Sequence, residues 1–164
     1  MKTTKGFTLV ELIIVIIIVG ILSIVSVTIY RFYTERARLT EAFSILRSIA
    51  DSNSLYYLEH NTWCTDIREL HVQITGKTDL VDGMYRVETE NFVYACAGDS
   101  STSNTIATVN RKPFKEKYWI SFAAVPNKQN PNLGQYSVTG DTYNNNPRKT
   151  IDKILIDHYK AKYK

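Results

Sequence analysis

The sequence predicts an α+β fold in which one long N-terminal helix packs on a small antiparallel sheet. An apolar run at residues 7–30 leads directly into a stretch whose apolar residues recur every three or four positions. The rest of the chain alternates short runs of β-branched and aromatic residues with turn-forming residues. The first half of the helix is therefore apolar on all sides, and the amphipathic second half needs one surface, such as a sheet, to cover it.

The apolar run at residues 7–30 is long enough to cross a membrane. About 24 helical residues span roughly 36 Å, and a hydrocarbon core is about 30 Å thick. Lys2 and Lys5 precede the run and mark its N-terminal side as cytoplasmic. Basic residues also follow it, at Arg31, Arg36 and Arg38, so charge alone leaves the orientation open.

A single charge, Glu11, interrupts the apolar run. A carboxylate within a membrane helix costs about 2.5–3.5 kcal/mol, so it is expected to be paired or functional. Glu11 follows Phe7 by four residues, which places both on one face of a helix. If the chain were cut after Gly6, the new α-amine of Phe7 would be a matching cation, from the same chain or from a neighbour.

The stretch KGFTLVELIIVIIIVGIL, residues 5–22, resembles the prepilin signature of type IV pilins and type II secretion pseudopilins. The match is strong over residues 5–25 and looser to about residue 60, and it includes Gly6, Phe7, Thr8, Leu9, Glu11, Leu12 and Gly20. A plain signal anchor would explain the apolar run but not Glu11 or the Gly6–Phe7 junction. The resemblance implies a pilin-like fold, cleavage between Gly6 and Phe7, N-methylation of Phe7, and neutralisation of an adjacent subunit's Phe7 amine by Glu11.

The resemblance also implies three parts: a leader at residues 1–6, a transmembrane and filament-core helix at 7–30, and an extracytoplasmic globular domain at 31–164. The chain would wait in the inner membrane and then enter an extracellular pilus or a periplasmic pseudopilus. Its implied partners are other pilin subunits, in a homo- or hetero-polymer, the inner membrane, the prepilin peptidase and the assembly platform. The family often has proline at the position of Thr28, so a kink or local melting there is left open.

The long helix is predicted to continue to about Glu59, because residues 21–75 contain neither glycine nor proline. Its buried face is predicted to carry Leu39, Ala42, Leu46, Ile49, Asn53 and Tyr57. Residues 60–82 are predicted to be loop-like, with a short helix near residues 66–70. Strands are predicted at residues 85–87, 92–96, 105–109, 117–125 and 133–139, with a break at 126–131, turns at 98–104 and 141–148, and a short helix within 150–164.

Cys64 and Cys96 are the two cysteines of the 164-residue chain. Outside the cytoplasm such a pair tends to be oxidised, so a disulfide between them is predicted. A bridge closing this loop would stabilise the fold by about 3–4 kcal/mol. Two free buried thiols are the alternative.

The sequence carries no recognisable catalytic, phosphate-binding or metal-binding motif, so a non-enzyme without a cofactor, metal or small-molecule substrate is expected. Asp99, Asp141 and Asp152 are conceivable calcium ligands, with residues 134–146 as the better location, but a solvated turn is favoured there. The net charge of +4 includes Lys2 and Lys5 of the leader, so it offers little basis for DNA binding.

The favoured function is therefore a structural subunit of a type IV pilus-like filament. A type II secretion pseudopilin is the first alternative, because both classes share the same N-terminal residues. A minor pilin that binds DNA or adheres to a surface is the second. It is motivated by a basic, tyrosine-containing C-terminus with Tyr159, Lys160, Lys162, Tyr163 and Lys164.

Overall fold

The computed structural model describes residues 6–81, 83–96, 105–112, 118–126, 131–143 and 149–162. It confirms an α+β fold with a long N-terminal helix on an antiparallel sheet. In chain order the elements are α1 (Leu9–His60), a 3-10 helix (Ile67–Glu69), β1 (Lys77–Val81), β2 (Met84–Glu88), β3 (Phe92–Cys96), β4 (Thr105–Arg111), β5 (Tyr118–Pro126), β6 (Pro131–Thr142) and α2 (Lys149–Lys162). The chain divides into two compact units, Met1–Ala37 and Arg38–Lys164.

The first unit contains the apolar half of α1. All side chains from residue 6 to residue 27 are exposed, and by length and composition α1 could cross a membrane. Ser23 and Ser26 donate their hydroxyl protons to the carbonyl oxygens of Val19 and Leu22, at 2.7 and 2.8 Å. These bonds satisfy the only side-chain hydroxyls between Glu11 and position 28, which suits an apolar surrounding. The helix continues through position 28 without interruption.

In the second unit α1 is amphipathic, as predicted. Leu39, Ala42, Leu46, Ile49 and Asn53 are all fully buried, whereas Tyr57, predicted on the same face, is only half-buried. The helix ends at His60 because Asn61 adopts a left-handed conformation, with φ of 54°. The backbone N–H of Asn61 donates to the carbonyl oxygen of Tyr57 at 2.8 Å, and this bond closes the last turn.

The sheet is an antiparallel meander with the spatial order β1-β2-β3-β4-β5-β6, so every strand pairs with its neighbour in sequence. Tyr94, Val109 and Ile120 lie side by side in register on β3, β4 and β5, and all three are buried. Phe122, two residues along from Ile120, reaches α1, where its ring centroid lies 5.9 Å from that of Phe43. Because side chains alternate along a strand, this row forms the face of the sheet that covers α1.

Two sequence predictions for the sheet were wrong. Residues 60–82 are not all loop-like, because β1 lies at Lys77–Val81 and pairs with β2. The predicted break at residues 126–131 falls between β5 and β6, whose Pro126 and Pro131 are in register, but β6 begins earlier and ends later than the predicted 133–139. The 3-10 helix and α2 confirm the two predicted short helices. The predicted turn at 98–104 and most of the one at 141–148 lie outside the described residues.

Candidate functional site

The start of α1 is built by a reciprocal pair of hydrogen bonds between Thr8 and Glu11. The backbone N–H and the hydroxyl of Thr8 both donate to Glu11 Oε2, each at 2.8 Å. In return the backbone N–H of Glu11 donates to Thr8 Oγ1 at 3.3 Å. This is a capping box, in which an N-terminal Thr and a Glu three residues later satisfy amides that the first helical turn leaves without partners.

The capping box gives the Glu11 carboxylate a defined position at the positive end of the helix dipole. It also places Phe7 two residues before the helix begins at Leu9, not within it as predicted. The Phe7 side chain is 86% exposed, and Gly6 has open space around its Cα. The Gly6–Phe7 junction is therefore accessible, and Glu11 lies close to the residue that would carry a new chain start.

Thr8 is the functional residue whose role the sequence prediction missed. The signal was present, since Thr8-Leu9-Val10-Glu11 fits the pattern of a capping box directly before an apolar run. Neutral donors on the same chain, and not only a cation, therefore bind the Glu11 carboxylate.

The two cysteines lie in the second unit, far along the chain from Glu11. Cys64 follows α1 and Cys96 ends β3; both are buried free thiols, 4.4 Å apart. The Cys64 thiol donates to the carbonyl oxygen of Asp66 at 2.9 Å. Burial raises the pKa of both thiols, because it disfavours the charged thiolate. The structure places the two cysteines near each other, and the predicted bond between them stays a prediction.

Asn53 holds the Cys64 segment against α1 and the sheet. Its Oδ1 accepts from the backbone N–H of Cys64 at 2.9 Å, and its Nδ2 donates to the carbonyl oxygen of Ile106 at 2.9 Å. The Ile106 carbonyl is available because the β4–β5 register shifts between Thr105 and Ala107. One buried amide thus joins the helix, the loop after it and a bulge in the sheet.

The conceivable calcium ligands do not form a site among the described residues. Asp141 lies on β6, not in a loop, and its Oδ1 accepts from the backbone N–H of Thr142. Asp152 is fully buried on α2, and Asp99 lies outside the described residues. Within the described part of the chain, no group of three or more His, Cys, Asp or Glu side chains is arranged to hold a metal ion.

Two of the five C-terminal residues considered for DNA binding, Tyr159 and Lys160, make contacts within the fold. Tyr159 is buried, and its ring stacks on Phe43 with centroids 4.5 Å apart. Lys160 Nζ donates to the carbonyl oxygen of Gly140 at 3.2 Å and lies 3.9 Å from a carboxylate oxygen of Asp157. Lys162 ends α2, while Tyr163 and Lys164 lie outside the described residues.

Comparison with known proteins finds sequence matches that include the N-terminal residues. Residues 1–27 match the family described as Prokaryotic N-terminal methylation motif. The chain is 38% identical over 102 residues to Type IV major pilin protein PilE of Neisseria gonorrhoeae, covering 61% of this chain and 59% of that protein. It is also 38% identical over 102 residues to a fimbrial protein of Neisseria meningitidis serogroup A, covering 61% and 58%. Fimbrial protein EcpC of Eikenella corrodens is 37% identical over 65 residues, covering 40% and 42%.

The matched region thus spans less than two thirds of these relatives. No solved structure matches the chain significantly. The methylation motif, the relatives and the long apolar helix against an antiparallel sheet agree with one another: over the matched residues this chain is similar to type IV pilins.

Proposed function

We propose that this chain is a structural subunit of a type IV pilus-like filament. The observation that carries the proposal is the methylation motif at residues 1–27, placed at the start of a helix whose apolar side chains are exposed throughout residues 12–27. Such a surface needs lipid on every side before assembly and other helices after it. The relatives named as pilins and fimbrial proteins support the same function.

In this proposal the chain has three parts: a leader at residues 1–6, a membrane and filament-core helix at 7–30, and a globular domain at 31–164. The prepilin peptidase cuts between Gly6 and Phe7 and methylates the new Phe7 amine. The globular domain lies outside the cytoplasm, and an assembly platform extracts the subunit from the inner membrane into the filament. Other pilin subunits are its polymer partners.

The Thr8–Glu11 capping box indicates which groups bind the Glu11 carboxylate before and after the leader is cut. Before cutting, two donors of Thr8 satisfy Glu11 Oε2 within one chain. After cutting, the Phe7 amine of an adjacent subunit adds a full positive charge, so that neither charge enters the apolar filament core alone. The cap holds the acid in position, and the amine of the neighbour neutralises it.

Two substitutions at Glu11 separate these roles. Glu11→Gln keeps an oxygen that accepts from Thr8 but removes the charge, whereas Glu11→Ala removes both. If charge neutralisation drives assembly, both variants insert into the membrane and neither forms filaments. Electron microscopy of sheared surface material measures assembly, and membrane fractionation measures insertion. Normal filaments from Glu11→Gln would show that the cap matters and the ion pair does not.

Processing is tested separately at Gly6. Gly6→Leu places a bulky side chain beside the cut, and the uncut precursor should accumulate on a gel. Mass spectrometry of the recovered wild-type chain should show a methylated Phe7 at its N-terminus. A mature chain that still begins at Met1 would overturn the proposed processing.

We also propose that Cys64 and Cys96 become bonded once the globular domain is outside the cytoplasm. Their burial and their separation of 4.4 Å support it, because a disulfide requires two cysteines that lie close together. Alkylation of the filament protein before and after reduction tests this directly. Labelling of both cysteines without reduction would show that they remain thiols.

The two alternatives have less support. A pseudopilin would polymerise in the periplasm, so surface filaments and periplasmic ones are told apart by where the protein is recovered. A DNA-binding or adhesive minor pilin loses Tyr159 as a stacking surface, because its ring is buried against Phe43. DNA binding that weakens steeply with salt would favour this alternative.

A further inference from the structure

The two edges of the sheet differ in whether another element packs on them. At one edge α2 packs on β6, with Leu155 and Ile156 buried and Lys160 bonded to the Gly140 carbonyl. At the other edge β1 pairs with β2 alone among the described residues. Four of the five residues of β1 are exposed, including Leu80 at 58%. An edge of this kind is able to accept another strand, because alternate N–H and C=O groups point outward.

We propose that β1 pairs with β1 of a second copy of this chain, antiparallel and about a two-fold axis at Thr78. In this register Lys77 lies opposite Asp79 of the second copy, and Asp79 lies opposite its Lys77. Shifting the axis by one residue places Lys77 opposite Lys77 or Asp79 opposite Asp79, which are unfavourable like-charge pairs. The charge order of β1 therefore selects one register.

The side chains of β1 are compatible with this register. Lys77 Nζ already lies 3.1 Å from Asp79 Oδ1 of the same chain, so each ammonium would meet a second carboxylate on pairing. The pairing is isologous, since the same surface is used by both copies.

The strand that pairs with β1 comes from a second copy of the chain, because the charge pattern of β1 is complementary to itself. β6 is not a suitable partner, because α2 already packs on it. Pairing of the chains does not depend on the proposed function. If filaments form as proposed, subunits within one filament are related by rotation and translation along its axis, so a two-fold β1 pair joins two filaments side by side.

Cysteine cross-linking of the full-length chain tests the register. Thr78→Cys should form disulfide-linked dimers on its own, because the axis places position 78 opposite itself. Lys77→Cys and Asp79→Cys should each cross-link poorly alone and efficiently when mixed. Ser137→Cys, at an exposed position on β6, is the matched control. Dimers of Thr78→Cys no more abundant than those of Ser137→Cys, or a link to a different protein, would overturn the proposal.

Charge reversal gives an independent test without cysteines. Lys77→Glu and Asp79→Lys should each weaken dimerisation by about tenfold, since two cross-strand pairs change from attraction to repulsion. Mixing the two variants should restore it, because Glu at 77 then faces Lys at 79. Lys153→Glu, on the exposed face of α2, is the charge-matched control and should have no effect. Failure of the mixture to recover would contradict the register.

Performing both tests on detergent-solubilised chain and on filaments separates this proposal from the function. Dimers in detergent without any filaments would support β1 pairing and count against the filament subunit. Filaments that never bundle or cross-link through β1 would support the subunit and refute the pairing.

Discussion

Asn53 lies on the buried face of α1, where its neighbours Leu46 and Ile49 are apolar. The periodicity of the sequence placed it correctly on this face, but periodicity does not reveal which backbone groups a buried amide meets. Those groups belong to Cys64, eleven residues later, and Ile106, fifty-three residues later. Partners this distant follow from the register of the sheet and its bulge, which only the folded chain defines.

Asn53→Ala is expected to destabilise the fold by about 2–4 kcal/mol. The substitution leaves the buried Cys64 N–H and Ile106 C=O without partners, and each such loss costs about 1–3 kcal/mol. Urea denaturation of the full chain in mild detergent measures the change. Ser44→Ala, on the exposed face of the same helix, is the control and should differ little from wild type. Equal midpoints for the two variants would contradict the bridging role of Asn53.

The thiols predict how stability depends on pH. Their pKa values are raised in the fold by burial, so above about pH 8.5, where an ordinary thiol ionises, the unfolded chain releases protons that the folded chain keeps. Stability of the reduced chain should therefore be complete below this pH and fall as pH rises above it. Urea midpoints between about pH 7.5 and pH 9.5 measure the slope, below the range where tyrosines ionise.

The same measurement tests the bridge. A chain with Cys64 bonded to Cys96 has no thiol protons to release, so its slope over this range should be smaller than that of the reduced chain. The double variant Cys64→Ala, Cys96→Ala should match the oxidised slope. If reductant leaves the slope unchanged and Cys64 and Cys96 react as free thiols, the cysteines carry no bridge.

At the scale of the elements, the sequence predicted the helices and strands whose buried residues follow a regular apolar pattern. It missed β1, which has no such pattern. The second half of α1, and β3 with all five residues buried, follow apolar periodicity or apolar runs. β1 has the sequence KTDLV, with two charges and an exposed surface, so no hydrophobic alternation marks it. It becomes a strand because β2 offers a ladder of hydrogen bonds. Edge strands are formed by such pairing more than by their own sequence.

α2 was predicted only as a short helix within residues 150–164, and the structure shows what it covers. Leu155, Ile156 and Tyr159 are buried. The hydroxyls of Tyr159 and Thr40 share a hydrogen bond at 2.8 Å, and the Tyr159 ring stacks on Phe43. Within the second unit, α2 is thus attached to α1 as well as to β6.

Two substitutions at Tyr159 should separate packing from hydrogen bonding. Tyr159→Phe removes only the bond to Thr40 and should cost about 1 kcal/mol. Tyr159→Ala also removes the ring from Phe43 and should cost about 3 kcal/mol or more. Ile154→Ala, which truncates an exposed side chain of the same helix, is the control. Urea midpoints decide the order, and a Phe variant as unstable as the Ala variant would contradict the assigned role of the ring.

At the scale of the whole molecule, the buried apolar side chains among the described residues all come from the second unit. The first of them along the chain is Leu39, whereas the apolar side chains of residues 9–27 are exposed. A chain of residues 31–164 therefore keeps the core and loses the surface that requires lipid or neighbouring helices. The boundary between the two units lies at Ala37 and Arg38, and the domain of residues 31–164 proposed from the sequence stays a prediction.

A chain of residues 31–164 should accordingly fold in water without detergent and unfold in one cooperative transition. Its Tm should lie within about 5 °C of that of the full chain in detergent, since a loss of about 1 kcal/mol shifts the Tm of a domain this size by a few degrees. Circular dichroism measures both. A chain of residues 47–164 is the control: it lacks Leu39, Ala42, Phe43 and Leu46, all buried, and should not fold, because the sheet face loses much of its cover. An unfolded or aggregated 31–164 chain would show that residues 1–30 are needed for the fold and not only for assembly.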